Sequence, residues 1–112
     1  MLSRKYRATR ENIEETSKTG ISIFGNFLYV KISKKETEKA GFAIVVPKKI
    51  EKTSVGRHLI KRKISRYIEN NLSKINPNFK KTIVFFLKKI EKPLIYKEVE
   101  KDVNFILKKV VF

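Results

Sequence analysis

The chain contains no cysteine and no tryptophan, and it has one histidine and one methionine. Without thiols, disulfides and thiolate-ligated metal centres are excluded. With His58 alone, and no paired carboxylates beside it in sequence, a metal or acid–base centre lacks its partner groups. No apolar run approaches the roughly 20 residues of a membrane span. The opening MLSRKYRATR lacks the apolar centre of a secretory signal, so a cytoplasmic location is expected. Glycine and proline are sparse, and neither internal repeats nor a low-complexity linker is visible. Acidic residues are also few: 11 Asp and Glu stand against 27 Lys and Arg, a formal net charge of +16.

That charge has to be reconciled with a composition that folds. Eight Phe and four Tyr in a chain that is 41% hydrophobic argue against a disordered basic tail. A length of 112 residues suits one domain, 1–112, with one modest core. Like-charge repulsion destabilises a compact state, so a folded domain this basic implies a polyanionic partner. A nucleic acid is the expected partner, with no membrane role.

The pattern along the chain reads as α-β-β-β-α-β-α, an α+β order with a sheet packed against helices. Thr9 is placed to cap a helix over 10–18 that Gly20 ends. Residues 21–24 and 27–32 alternate and are β-branched or aromatic, with Gly25-Asn26 between them, as in a hairpin or bent strand pair. In the second of these strands Phe27 and Tyr29 share one face and Lys31 continues it, with Leu28 and Val30 on the other. One face can then be core and the other an open stacking platform. Residues 41–46 are nearly continuous in apolar residues, so this strand is expected at the centre of the sheet. Residues 82–87, TIVFFL, form a fourth strand, with Phe85 and Phe86 assigned to the core. Lys80-Lys81 and Lys88-Lys89 are read as solubilising strand ends. Asn76-Pro77-Asn78 is a turn. Lys92-Pro93 opens a last helix whose apolar face is Ile95, Val99, Val103, Ile106 and Val110.

The most informative stretch is FAIVVPKKIEKTSVGRHLIKRKISRYI, residues 42–68. Thr53 or Ser54 caps a helix reaching to about Asn71. Ile60, Ile64, Tyr67 and Ile68 fall on one stripe at helical spacing. His58, Lys61, Arg62, Ser65 and Arg66 fall on the other side, with Arg57 near the border and Lys48-Lys49 just ahead. Pinned to a sheet by its apolar stripe, such a helix presents a fixed row of cations suited to a phosphate backbone.

These residues resemble the protein subunit of bacterial ribonuclease P over essentially the whole chain. Val46-Pro47-Lys48-Lys49 stands for that family's Val-Ser-Lys-Lys segment. Arg57-His58 stands for the Arg-Asn pair of its Arg-Asn-Arg-type motif, Lys61-Arg62 for the basic pair one turn later, and Arg66 for the Arg that follows. His58, Pro47 and Gly56 depart from the family's Asn, Ser and apolar residue. A second register, with Lys61-Arg62-Lys63 on Arg-Asn-Arg, keeps the same helix and face. The basic lead-in with Arg7, the short helix, Gly20, the FLYVKI strand and the TIVFFL strand complete the likeness.

The resemblance implies a four-stranded sheet with a left-handed βαβ crossover. It also implies a role as the protein subunit of a ribonucleoprotein endonuclease that removes the 5′ leader from precursor tRNA. The RNA subunit, with bound Mg2+, would carry out phosphodiester hydrolysis, with metal near the RNA interface, and the protein would supply no catalytic residue and bind no cofactor alone. In keeping with that, no nucleophile–base set or metal-ligand spacing is visible. Lys48, Lys49, Arg57, His58, Lys61, Arg62, Ser65 and Arg66 would bind the RNA subunit. Arg10, Ile13, Ser17, Phe27, Tyr29 and Lys31 would bind the single-stranded leader, Ile13 and Ser17 standing where the family's first helix usually carries Phe. The alternatives are a general structured-RNA-binding protein, such as a small ribosomal protein, and a stand-alone basic nuclease.

Overall fold

The computed structural model describes residues 6–37, 39–75, 78–88 and 96–110, and of Val110 the backbone alone. Helix α1 spans Arg10–Thr19, strands β1 and β2 span Ile21–Phe24 and Leu28–Ile32, and β3 spans Gly41–Val45. Helix α2 spans Ser54–Glu69, β4 spans Thr82–Leu87 and α3 spans Tyr96–Val110. A 3-10 turn, Leu72–Lys74, follows α2. The Lys92-Pro93 helix start, Ile95, Asn76 and Pro77 lie outside the described residues.

Local signals set the helix starts. Thr9 and Thr53 are extended residues whose hydroxyls accept from the N–H groups of Asn12 and Gly56. Each satisfies one of the amides a helix start leaves unpaired. Glu51 braces the second cap, its carboxylate accepting from both the N–H and the hydroxyl of Thr53. These bonds hold the exposed Glu51 carboxyl below its ordinary value. A Cβ on Gly56 would sit 2.5 Å from Glu51 Cδ, so a larger residue there would displace the Glu51 side chain from this cap.

The four strands form one sheet in the order β1-β2-β4-β3. β1 and β2 form an antiparallel hairpin, β2 pairs antiparallel with β4, and β3 runs parallel to β4 with α2 as the crossover. β3 is therefore an edge strand, and β4 takes the central place expected for β3. The continuous apolar run of β3 has another cause. Its outer edge is covered by the chain entering the fold, with Arg7 bridged to Phe42 and the Ala8 N–H donating to the Phe42 carbonyl. An edge strand covered in this way needs no charged residues to ward off further pairing.

Strand alternation assigns the two sheet faces. Leu28, Val30, Ile83, Phe85, Leu87 and Phe42 point to the core face and are essentially fully buried. Ile60, Ile64 and Ile68 of α2, and Val99, Val103, Ile106 and Leu107 of α3, close that core. Each fully buried side chain of this size contributes about 1.5–3 kcal/mol. Helix α1 lies against the other face, where the Lys31 ammonium donates to the Ser17 carbonyl at its C-terminal end.

Candidate RNA-binding surfaces

The face that α1 partly covers carries two cross-strand rows. Pairing places Ser22, Lys31, Val84 and Ala43 in one row and Phe24, Tyr29, Phe86 and Val45 in the next. Val84 is fully buried beneath α1, whereas Tyr29 and Phe86 are half-buried and Phe24 is 66% exposed. The three rings form a ladder across β1, β2 and β4. Tyr29 stacks on Phe86 with centroids 4.9 Å apart and planes 7° apart, and Phe24 lies 5.7 Å from Tyr29 at 32°. Open aromatic faces of this kind accept nucleobases with little sequence preference.

The ladder differs from the expected platform in three members: Phe24 and Phe86 join it and Phe27 leaves it. Phe27 has the same parity as Tyr29 but precedes β2, and its half-buried ring packs against the core cluster. Phe86, assigned to the core by its apolar run, stacks on Tyr29 instead. Phe85 next to it is fully buried, as strand alternation requires.

Cations surround the ladder. Lys31 stands one row away, tied to Ser17, whose own hydroxyl donates to the Ile13 carbonyl. Lys88 is no simple solubilising charge. Its ammonium donates to the Gly25 carbonyl and lies 5.4 Å from the Phe24 ring centroid. Tyr29, Lys31 and Ser17 are thus brought together. Ile13 is half-buried one turn back along α1. Arg10 is farther off, about 10 Å from Ser17 by helical rise. It is exposed beside Glu14, with 3.5 Å between their charged groups, and lines a broad cleft between α1 and residues 33–37.

The second surface is the outer side of α2. His58, Arg62, Lys63 and Arg66 are exposed along it, Lys61 is half-buried, and Lys48 and Lys49 are exposed in the turn after β3. Val55 and Leu59 are exposed between these charges, at 80% and 50%. Ser65 does not share this face. It is 3% exposed, buried on the side of the helix that also buries Ile64 and Ile68. The Arg57 guanidinium donates to the carbonyls of Glu51 and Lys52 at 3.0 and 2.8 Å, so it braces the helix start. On the flank facing α3, the Lys63 ammonium lies 5.2 Å from the Tyr96 ring centroid, and burial raises the Tyr67 phenol above its ordinary value.

Among the described residues no three His, Cys, Asp or Glu side chains cluster as metal ligands would. No described helix is long and apolar enough to cross a membrane.

Comparison with known proteins agrees with this architecture. A family model described as Ribonuclease P matches residues 2–111. The ribonuclease P protein component of Fusobacterium nucleatum is 37% identical over 92 residues, covering 80% of this chain and 81% of that one. The solved RNase P protein of Staphylococcus aureus superposes with a TM-score of 0.78 at 21% identity, over 98% of this chain and 99% of that one. The RNase P protein from Thermotoga maritima gives 0.76 at 19% identity, over 97% and 100%. At these identities the two structures speak to the fold.

Proposed function

The chain belongs to the ribonuclease P protein family, the protein component of a tRNA-processing endoribonuclease, and from that premise we propose how its two surfaces divide the work. The outer side of α2 holds the ribonuclease P RNA subunit. The aromatic ladder with its flanking lysines holds the single-stranded 5′ leader of precursor tRNA. Residues 1–112 act as one RNA-binding domain, working in the cytoplasm and with no role for DNA. The RNA subunit binds the Mg2+ used in phosphodiester hydrolysis, so this chain contributes positioning and charge neutralisation.

One observation carries this division: the ladder and the basic helix lie on opposite sides of the sheet. Tyr29 and Phe86 point away from the core face, and α2 is pinned to that core face by Ile60, Ile64 and Ile68. Two RNAs can therefore be engaged at once. The chemistries differ as the two tasks require. The helix and the turn before it offer cations to a structured phosphate backbone, through Lys48, Lys49, Lys61, Arg62 and Arg66, with His58 beside them as a hydrogen-bonding group. The ladder offers ring faces to unpaired bases, with Lys31 and Lys88 for their phosphates. Ser17, tied to Lys31, and Ile13 one turn back present α1 to the leader, and Arg10 extends that charge toward the start of the helix. Ser65 and Phe27 drop out as direct contacts, and Arg57 acts by holding the α2 start.

Reconstitution tests the division. Nuclease-treated protein with Mg2+ and precursor tRNA is expected to give no cleavage, and cleavage is expected once the RNA subunit is added at low Mg2+. Efficient cleavage by protein free of RNA would overturn the assignment of hydrolysis to the RNA.

A further inference from the structure

We propose that the leader path does not end at the sheet but turns around the β1 edge into a second aromatic subsite, formed by Phe24 and Phe105, that takes a further unpaired nucleotide. This inference rests on the ladder being the leader platform.

Phe24 is the outermost rung of the ladder, on the edge strand, and 66% exposed. Phe105, on α3, is 56% exposed. Both line one open cavity of about 560 Å3 at the β1–β2 turn. Phe105 is off the stripe by which α3 joins the core, so packing does not explain a large ring at that position. Neither ring is without a cation. Lys88 lies over Phe24, and the Lys109 ammonium lies 5.9 Å from the Phe105 centroid. Lys101 lines the cavity as well. The site thus repeats the pairing of ring face and ammonium that single-stranded RNA requires, and it is continuous with the ladder through Phe24.

The spacing of the two rings is fixed by a buried tie. The Asp102 carboxylate, one helical turn before Phe105 and 5% exposed, accepts from the N–H groups of Asn26, Phe27 and Leu28. It fastens α3 to the turn that carries Phe24. That carboxylate is already satisfied by three donors, which leaves Glu98 as the exposed acid of the cavity against Lys88, Lys101 and Lys109. The local balance suits an anion-bearing strand. An acidic protein partner would meet the Glu98 carboxylate without using the ring faces.

The test uses holoenzyme reconstituted with its RNA subunit and a series of precursor tRNAs whose leaders lengthen one nucleotide at a time. Dissociation constants are measured for the unaltered protein, Phe105→Ala, Phe105→Tyr and Tyr29→Ala, with thermal melting as the check on folding. In the unaltered holoenzyme, affinity is expected to rise with leader length in two stages. Phe105→Ala is expected to lose the second stage only, weakening long-leader substrates by roughly fivefold or more. Short-leader substrates and mature tRNA keep their affinity, and Phe105→Tyr restores the second stage. Tyr29→Ala is expected to weaken short and long leaders alike. If Phe105→Ala leaves the length dependence unchanged, or weakens mature tRNA equally, the subsite is overturned whatever Tyr29→Ala does. If Tyr29→Ala is silent while Phe105→Ala acts on long leaders, the platform reading fails and the continuous path with it, leaving Phe105 as an isolated contact.

Discussion

The side chain of Asp102 accepts the backbone N–H of Phe27 at 2.6 Å, across 75 residues of sequence. The same carboxylate takes the neighbouring amides of Asn26 and Leu28 at 3.0 Å each. This replaces the usual device of a tight hairpin. No described glycine has a positive φ, so the turn after β1 does not use the left-handed residues of the commonest two-residue loops. The Gly25 N–H closes the turn on the Leu28 carbonyl, and the amides of Asn26, Phe27 and Leu28 are satisfied by α3. A Cβ on Gly25 would come within 2.8 Å of an Asp102 oxygen, so glycine is what lets the carboxylate approach.

Replacing Asp102 is therefore expected to cost much more than a surface substitution. Asp102→Ala leaves three amides of a partly buried turn without their acceptor, that of Leu28 fully buried, and a buried unsatisfied group costs about 1–3 kcal/mol. Urea unfolding is expected to show a loss of at least about 2 kcal/mol. Asp102→Asn, which keeps one acceptor oxygen, is expected to fall between the two. Unchanged stability in Asp102→Ala would mean that water replaces the carboxylate without cost.

For α2, the expected outcome concerns salt. Replacing His58, Lys61, Arg62 and Arg66 with Ala is expected to weaken binding of the RNA subunit and to flatten the dependence of log affinity on log salt. Each phosphate contact removed lowers that slope by roughly 0.7–1. Arg57→Ala is expected to behave differently. Its guanidinium is engaged by Glu51 and Lys52 carbonyls, so the variant should lose helix stability with little change in slope. Titration of binding at several salt concentrations separates the two classes. An unchanged slope in the quadruple variant, with its fold intact, would reduce the face to solvated charge.

What is legible in the sequence is local. β1 and β4 match their expected residues, the cap at Thr9 is as read, and Thr53 is the one of the two candidate caps, Thr53 and Ser54, that the structure uses, because a capping hydroxyl or an apolar strand run announces itself within a few residues. What depends on pairing is not legible. A continuous apolar run places β3 in the centre by the usual logic, and only the return of residues 7 and 8 along its edge shows why that logic fails. Phe86 reads as core until β2 is known to lie beside β4, which sets its ring on Tyr29. Ser65 reads as a polar surface residue because one small hydroxyl carries no periodic signal. Phe105 carries a signal of its own, since a large ring off the apolar stripe of an amphipathic helix departs from the helical pattern.

The ladder itself provides the sharpest test, because its neighbour Phe27 is a natural control. Tyr29 and Phe86 stack on each other and are half-buried, so removing either ring deletes accessible aromatic surface on which a base can stack. Such a loss typically costs about 1–3 kcal/mol per base. Tyr29→Ala and Phe86→Ala are therefore expected to weaken the holoenzyme for precursor tRNA while mature tRNA, which lacks the leader, binds as before. Phe27→Ala is expected to do the reverse. Its ring packs against the core beside the Asp102 tie, and truncating a Phe in a core costs about 3–5 kcal/mol, somewhat less for a half-buried one. That variant should melt earlier and, once folded at low temperature, show no discrimination between the two RNAs. Measuring both affinities and the melting temperature for the three variants decides among the roles. A leader-specific defect in Phe27→Ala, with Tyr29→Ala indifferent to the leader, would move the stacking site off the ladder and onto the turn.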